Sequence, residues 1–219
     1  MASHVPFGRP LFSLLEDAIV LTEGDRRLIV SGPWGDVEVA DRSPLVREAL
    51  HRMSLGPVSL GNIPALAQEF DHWQATGAPG TQWMRLKATL DALGGCVVNS
   101  LGLFDGGGPI LSLVAEVPDA VFDCVSVPHR AEVRVRAGTA LEDIRAEQVL
   151  RCPGLAYRVV LHRAPATEIA KCLLSGRTTI TEVADGLQLA PPVVGDVVAY
   201  LAGIGFLLVE AAPNGSSDI

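Results

Sequence analysis

One stretch near the end of the chain decides the fold: residues 179–210 read TITEVADGLQLAPPVVGDVVAYLAGIGFLLVE. Its first part, opened by Thr179-Ile-Thr-Glu182, carries apolar residues at the i, i+3, i+4, i+7 spacing of an amphipathic helix. The same spacing returns after the turn Gln188-Leu-Ala-Pro-Pro192, and an apolar run over Phe206–Glu210 follows. A helix, a tight turn, a second helix and a following strand are typical of a helix-turn-helix unit with a wing.

The residues ahead of this stretch supply the rest of one such unit. Tyr157–His162 reads as a strand, and Pro165–Leu174 reads as a helix with an apolar face. In the connector before them, Arg130–Arg136 alternates as a strand does, and Leu141–Val149 fits a short helix. The tail Ala211–Ile219 is rich in Ser, Asn and Gly and is expected to be loose.

The first half of the chain repeats the same order of elements. Strands are predicted at Ala18–Thr22, Arg27–Val30 and Asp36–Val39, and three helices with the same apolar spacing follow. The helix boundaries are marked by Ser43 and Pro44 at the first start, Asn62 and Pro64 at the second start, and Gly94-Gly95 at the third end. Two further strands, Cys96–Leu103 and Ile110–Val117, close the unit.

These elements predict an α+β fold of two tandem winged-helix-like domains, each with a small antiparallel sheet and a three-helix helix-turn-helix core. We place the first domain at residues 1–118, and the second, with its connector and tail, at residues 119–219. A weak internal duplication supports this division. Leu93-Gly-Gly-Cys-Val-Val98 and Leu201-Ala-Gly-Ile-Gly-Phe206 each end the third helix of their unit.

Charge argues against nucleic acid as a partner. The chain has 25 acidic and 17 basic residues, a net charge of −8, whereas duplex binding draws on Lys and Arg contacts to phosphates. The segment that would read bases, Pro192–Phe206, contains no basic residue and one acid, Asp196. An acidic transcription factor is therefore the least favoured function.

The sequence lacks motifs for catalysis, nucleotide binding and membrane insertion. No Walker A loop or nucleophile elbow occurs, and Gly106-Gly107-Gly108 lies between two predicted strands, as a flexible wing tip would. The four cysteines and five histidines do not fall at metal-ligand intervals. No apolar run reaches the roughly 18 residues of a membrane helix, and Met1–Phe7 does not resemble a signal peptide. We expect no catalytic residue, metal or cofactor in this chain, no membrane partner, and a cytoplasmic location.

Peptide binding suits a winged domain better than catalysis. Its small sheet has an edge strand beside the third helix, and such an edge can accept an extended peptide as an added strand. The candidate peptide-binding residues are Arg27, Leu28, Ile29 and Val30 in the first half, and Arg158, Val159, Val160 and Leu161 in the second. The alternative is that both segments are ordinary interior strands.

Three large aromatic residues fall at positions where packing within a monomer would stabilise the fold least. Trp34, Phe104 and Phe122 fall in predicted loop or linker positions, and a few buried aromatic residues often dominate the binding of a partner protein. We assign them to a partner interface, with packing over the two small cores as the alternative.

The order of several segments is similar to the N-terminal half of SagB-type azoline dehydrogenases. In the first half, the resemblance is carried by RLIVSGPWGDVEV at residues 27–39, PLVREAL at 44–50 and LDALGG at 90–95. In the second half, it is carried by YRVVLH at 157–162 and AYLAGIGF at 199–206. It covers nearly the whole chain through hydrophobic spacing and a few Gly and Pro positions.

Members of that family oxidise thiazoline and oxazoline rings in ribosomally made peptides to thiazoles and oxazoles. The resemblance implies winged-helix-like segments ahead of an FMN-binding, nitroreductase-like domain, and no stretch of this chain looks like that domain. We therefore expect a split enzyme of a thiopeptide-like pathway, with this chain as the accessory subunit and the FMN and catalytic residues in a partner chain. The expected partners are that dehydrogenase chain and the leader segment of the precursor peptide, in a hetero-oligomer. A stand-alone peptide- or protein-binding winged-helix module is the alternative.

Overall fold

The computed structural model describes residues 7–24 and 26–210, and over this range the chain is a mixed α+β protein with antiparallel sheets, as predicted. The tail Ala211–Ile219 lies outside the described residues. The strands are β1 (Arg9–Leu14), β2 (Ile19–Glu23), β3 (Arg27–Gly32), β4 (Gly35–Glu38), β5 (Val58–Ser59), β6 (Val97–Gly102), β7 (Pro109–Ala115), β8 (Glu132–Val135), β9 (Ala140–Ile144), β10 (Glu147–Arg151), β11 (Tyr157–Leu161), β12 (Thr178–Thr179) and β13 (Leu207–Glu210). The helices are α1 (Pro44–Met53), α2 (Ala67–Thr76), α3 (Thr81–Leu93), α4 (Ala166–Leu174), α5 (Ile180–Leu187) and α6 (Pro191–Gly203).

The strands of the described residues form three sheets, in which all pairings are antiparallel. The largest sheet has seven strands in the order β5-β1-β6-β7-β11-β10-β9. A three-stranded meander is formed by β2-β3-β4, and a second three-stranded sheet has the order β12-β8-β13. The first half of the chain contains the meander and three helices, and the second half contains the second small sheet and three helices.

The meander and the helices α1, α2 and α3 enclose one core. Register places Val30 of β3 opposite Val20 and Val37, so one face of the meander carries apolar side chains toward the helices. The Ser43 hydroxyl caps the start of α1, as predicted, by accepting a backbone N–H of the first turn.

The helices α4, α5 and α6 enclose a second core with the sheet β12-β8-β13. β12 lies between α4 and α5, β13 follows α6, and β8, which precedes all three helices in the chain, pairs with both strands. A capping box fixes the start of α5, because the Thr179 hydroxyl accepts the Glu182 N–H and the Glu182 carboxylate accepts the Thr179 N–H. The two helices predicted from residues 179–210 therefore form as α5 and α6.

The seven-stranded sheet joins the two halves of the chain. It takes β1, β5, β6 and β7 from residues before position 118 and β9, β10 and β11 from residues after it. The pairing that crosses this position joins β7 to β11, with Tyr157 opposite Ala115. The buried apolar residues form two clusters, one between Leu14 and Val97 and one between Leu101 and Leu207, so the change of core falls within β6. The predicted division into domains at residue 118 stays a prediction.

A buried carboxylate ties the start of the described chain to α6. Asp196 lies in the middle of α6 and is only 2% exposed. Its carboxylate accepts the backbone N–H of Phe7 at 3.1 Å and that of Gly8 at 2.5 Å. Because Gly8 directly precedes β1, these bonds attach the first strand of the large sheet to the second core.

Two local assignments made from the sequence are wrong, and one strand was not predicted. Leu141–Val149, predicted as a short helix, forms the hairpin β9–β10. Its two turn residues, Arg145 and Ala146, both have positive φ (51° and 72°), which the sequence does not signal with Asn or Gly. The strand β1 is not among the predicted elements, and α2 begins at Ala67, after a 3₁₀ turn at residues 60–62, and not at the predicted start near Asn62 and Pro64.

Gly94 ends α3 in a conformation that a side chain would disturb. Its φ is +51°, and a Cβ at this position would overlap the Pro118 carbonyl oxygen, which already accepts the Gly95 N–H at 2.8 Å. We expect Gly94→Ala to lower the free energy of unfolding by about 3 kcal/mol in urea denaturation, because it adds backbone strain and a clash with rigid backbone.

Gly24→Ala is the matched control for this substitution. Gly24 also has a positive φ, +55°, but a Cβ there would meet no atom of the described residues within 4 Å. This variant should lose only the strain, about 1 kcal/mol. Equal losses in the two variants would contradict the clash at Pro118.

Candidate functional site

The two segments predicted to bind peptide lie in the interior of their sheets. Arg27–Val30 belongs to β3, which pairs with β2 on one side and β4 on the other. Arg158–Leu161 belongs to β11, which lies between β7 and β10. An added strand needs an edge with unpaired N–H and C=O groups, and neither segment has one. A peptide therefore cannot add to these residues, which form interior strands as the alternative interpretation held.

Most side chains of these two segments are buried in the core. The buried ones are Leu28, Val30, Val159, Val160 and Leu161. Each arginine lies near a carboxylate instead: Arg27 is 3.5 Å from Glu23, and Arg158 is 3.8 Å from Glu116. The segments thus stabilise the two sheets as interior strands.

The free edge of the meander nearest to α3 belongs to β4. Within the described residues, this strand pairs only with β3. Hydrogen bonding alternates along an antiparallel pair, and the Val39 N–H donates to the Leu28 carbonyl at 2.8 Å. The backbone N–H and C=O groups of Asp36 and Glu38 therefore point away from β3, where an added strand would find them.

A groove lies between β4 and α3, with a volume of about 320 Å³. Val37 and Val39 line it on the strand side, and Ala88, Ala92 and Leu93 line it on the helix side. Ala88 and Ala92 are one turn apart on the exposed surface of α3. Because their side chains are short, the groove has room for the apolar side chains of a bound segment. We call this feature the β4–α3 groove.

An ion pair joins the two walls of the β4–α3 groove. The Arg85 guanidinium of α3 donates from Nε and Nη2 to the two carboxylate oxygens of Asp41, with Nη2 at 3.0 Å. Burial raises the pKa of Asp41, but hydrogen bonds from Arg85 and Ser43 outweigh this effect and hold the pKa below its usual value. The pair is therefore ionised at neutral pH and links the segment after β4 to the helix.

Trp34, Phe104 and Phe122, the residues assigned to a partner interface, lie in three different parts of the protein. Trp34 is 38% exposed in the β3–β4 turn, with its ring over Gly95, and Phe104 is 62% exposed in the β6–β7 loop. Phe122 instead packs against the second core, with its ring centroid 4.9 Å from that of Tyr200. Trp34 and Phe104 are accessible to a partner, whereas Phe122 packs as the alternative held. Their interface role stays a prediction.

Two exposed apolar residues of β2 are not among the site residues predicted from the sequence. Ile19 is 59% exposed and Leu21 is 46% exposed, and both lie on the outer face of the meander beside Ile29. A signal was present, because the run Ala18–Thr22 is apolar at consecutive positions, whereas a half-buried strand alternates. An apolar patch of this kind is a further surface that a protein partner could cover.

A chain of polar groups crosses the large sheet without forming an accessible active site. The Ser100 and Ser112 hydroxyl oxygens lie 2.7 Å apart, and Oγ of Ser112 lies 2.8 Å from Nε2 of His162. Ser112 is only 6% exposed, so a substrate cannot reach its hydroxyl. Desolvation lowers the pKa of His162, so the ring is neutral at neutral pH. The arrangement satisfies buried hydroxyls and does not support a nucleophilic role.

The residues that the structure describes hold no cluster of three metal-ligating side chains and no helix long and apolar enough to cross a membrane. The cysteines are free thiols: Cys96, Cys124, Cys152 and Cys172. Burial raises the pKa of Cys124 to about 12, so this thiol is neutral and unreactive at neutral pH.

The comparisons with family models and with curated proteins give no relative from which a function could be carried over. No family model matches the sequence, and no curated protein matches it. The geometry of the β4–α3 groove is therefore the main basis for a functional proposal.

Proposed function

We propose that this chain is the non-catalytic accessory subunit of a split FMN-dependent azoline dehydrogenase, and that it binds the precursor peptide as a strand added to β4. The observation that carries peptide binding is the free edge of β4 beside a groove walled by α3. The enzyme partner comes from the resemblance to SagB-type azoline dehydrogenases. Two segments that carry the resemblance, residues 27–39 and 90–95, supply β3, β4 and the end of α3.

An extended peptide would satisfy both features of the site at once. Its backbone would pair with the N–H and C=O groups of Asp36 and Glu38, which gives affinity with little demand on sequence. Every second side chain would point into the β4–α3 groove, since side chains alternate along a strand. Val37, Ala88 and Ala92, which line the groove, would favour apolar side chains at the peptide positions that face it.

We infer that each half of the chain is a winged-helix-like domain. In the second half, this inference is supported by the order of α4, β12, α5, α6 and β13 around one three-stranded sheet. The third strand of that sheet, β8, comes from ahead of the helices. In the first half, the whole meander precedes the three helices.

In this proposal the FMN and the catalytic residues belong to the partner chain, in a cytoplasmic hetero-oligomer. This chain captures the leader segment of the peptide and leaves the ring-bearing core free to reach the flavin. The exposed residues Trp34 and Phe104 and the apolar pair Ile19 and Leu21 are available for contact with the dehydrogenase chain.

Co-expression with an FMN-containing azoline dehydrogenase chain tests the proposal. We expect one yellow complex in size-exclusion chromatography with light scattering, and a colourless preparation when this chain is purified alone. Adding this chain should speed azole formation on the precursor peptide by about tenfold or more, because peptide capture raises the local substrate concentration. If the chains elute separately at micromolar concentration and azole formation does not depend on this chain, the proposal is wrong.

A stand-alone peptide-binding module is the second candidate, because the β4–α3 groove is complete within this chain. Peptide binding without a dehydrogenase complex would favour it. A DNA-binding regulator is disfavoured by α6 itself: residues 194–201 are all buried, so this helix has little free surface to place in a DNA groove.

A further inference from the structure

We propose that a cavity between the two core clusters is a binding site for a planar organic cation. Its volume of about 310 Å³ falls at the lower end of the range for small-molecule pockets, about 300–1,000 Å³. One wall comes from β1, α2 and α3, and the other comes from α6 and the segment after β7. No residue of the β4–α3 groove lines this cavity, so the inference does not rest on the proposed peptide binding.

Five aromatic side chains line the cavity. Trp73 and Trp83 stack with ring centroids 5.9 Å apart and 21° between their planes, and Phe12 lies 5.4 Å from Trp83. Phe122 and Tyr200 line it from the second half, with centroids 4.9 Å apart. Aromatic faces attract both flat apolar rings and positive charge, because the ring quadrupole is negative on its face.

The ionised groups of the lining carry a net negative charge. The Lys87 ammonium lies 2.8 Å from the Asp91 carboxylate and 3.0 Å from that of Asp123, so one cation is shared by two carboxylates. Burial lowers the pKa of Lys87, but the bonds to Asp91 and Asp123 outweigh this effect and raise the pKa above its usual value. Lys87 therefore stays charged at neutral pH, and the three groups sum to a charge of −1.

The remaining titratable groups of the lining do not alter this balance. Burial raises the pKa of Cys124 to about 12 and raises that of Tyr200 well above its ordinary value, so both are neutral at neutral pH. Aromatic side chains beside a negative cluster favour a ligand that is flat, apolar and positively charged. Asp123 is the accessible member of the cluster, with 75% of its side chain exposed, and can accept hydrogen bonds from a bound amidinium or guanidinium group.

Three compounds of nearly equal shape separate charge from size: 2-naphthamidine, a planar cation, 2-naphthamide, which is neutral, and 2-naphthoate, an anion. Titration of the full chain is followed through the indole N–H resonances of its three tryptophans. We expect 2-naphthamidine to bind about tenfold more tightly than 2-naphthamide, with 2-naphthoate weakest, because the aromatic wall binds all three and the carboxylates favour the cation. The signals of Trp73 and Trp83 should shift, and that of Trp34, which lies against Gly95 outside the cavity, should not.

Two exposed positions provide variants that keep the core intact. Asp123→Asn should weaken 2-naphthamidine binding by about fivefold to tenfold and leave 2-naphthamide unchanged, because it neutralises the cluster. Asp119→Asn, the same change at an exposed residue outside the lining, should have no effect on either.

The proposal is overturned by any of three results. These are equal affinity for the cation and the neutral amide, shifts confined to Trp34, and equal effects of Asp123→Asn and Asp119→Asn. Thermal unfolding of each variant checks that the chain is folded. An unchanged melting temperature with the expected pattern of affinities supports the site.

Discussion

Replacing Asp196 with alanine should lower the free energy of unfolding by about 3–5 kcal/mol, because it removes the charged acceptor of two backbone hydrogen bonds, of which the one from Gly8 is buried. The carboxylate bonds to the N–H groups of Phe7 and Gly8 and is 2% exposed, so water cannot replace it without opening the structure. The loss should appear as a lower urea midpoint with an unchanged slope. Hydrogen exchange should also become faster in β1, which Gly8 directly precedes.

Two further variants make this test specific. Asp196→Asn keeps one carbonyl acceptor but turns a donor toward an N–H group, so it should be intermediate between the wild type and alanine. Asp185→Ala removes an exposed acid of α5 and should change stability by less than about 0.5 kcal/mol. If Asp196→Ala and Asp185→Ala cost the same, the buried carboxylate does not hold the residues that precede β1.

Ala88→Glu should weaken binding of the precursor leader by about 30-fold or more, if the β4–α3 groove is the peptide site. The substitution places a bulky charged group on the helix wall, where side chains of the added strand would pack. Burying that charge without a partner, or leaving the groove unfilled, costs about 2 kcal/mol or more, which corresponds to this change in affinity. Fluorescence anisotropy with a labelled leader peptide measures it.

Ala75→Glu is the matched control, because Ala75 is an exposed alanine of α2 that does not line the groove. A second arm changes the peptide: N-methylation of single backbone amides should weaken binding only at alternate positions, as strand pairing requires. Uniform tolerance of N-methylation, or equal effects of the two alanine variants, would place the peptide elsewhere.

Local signals explain which elements could be predicted from the sequence. The starts of α1 and α5 depend on Ser43 and on the Thr179–Glu182 capping box, and both lie within a few residues of the helices they begin. The β9–β10 hairpin was missed because Arg145 and Ala146 adopt positive φ without the usual Asn or Gly, so the turn carried no sequence signal.

The site depended on pairings that no local pattern contains. The sequence predicts a strand at Asp36–Val39. Whether this strand or Arg27–Val30 lies at the edge of the meander is decided by the order in which the strands pair. Asp196 was noted as a lone acid in a helix without basic residues. Its role depends on Gly8, which lies 188 residues away in the chain.

The pairing of β7 with β11 has a consequence for synthesis on the ribosome. β7 ends at Ala115, but its neighbour β11 begins only at Tyr157, so the nascent chain carries an open apolar edge until that strand has emerged. Open edges of this kind invite pairing with other chains, and chaperones protect them in cells. A fragment ending at residue 118 would keep the edge permanently, so it should aggregate even if its own core folds. The edge of β7 is therefore covered only after β11 has been translated.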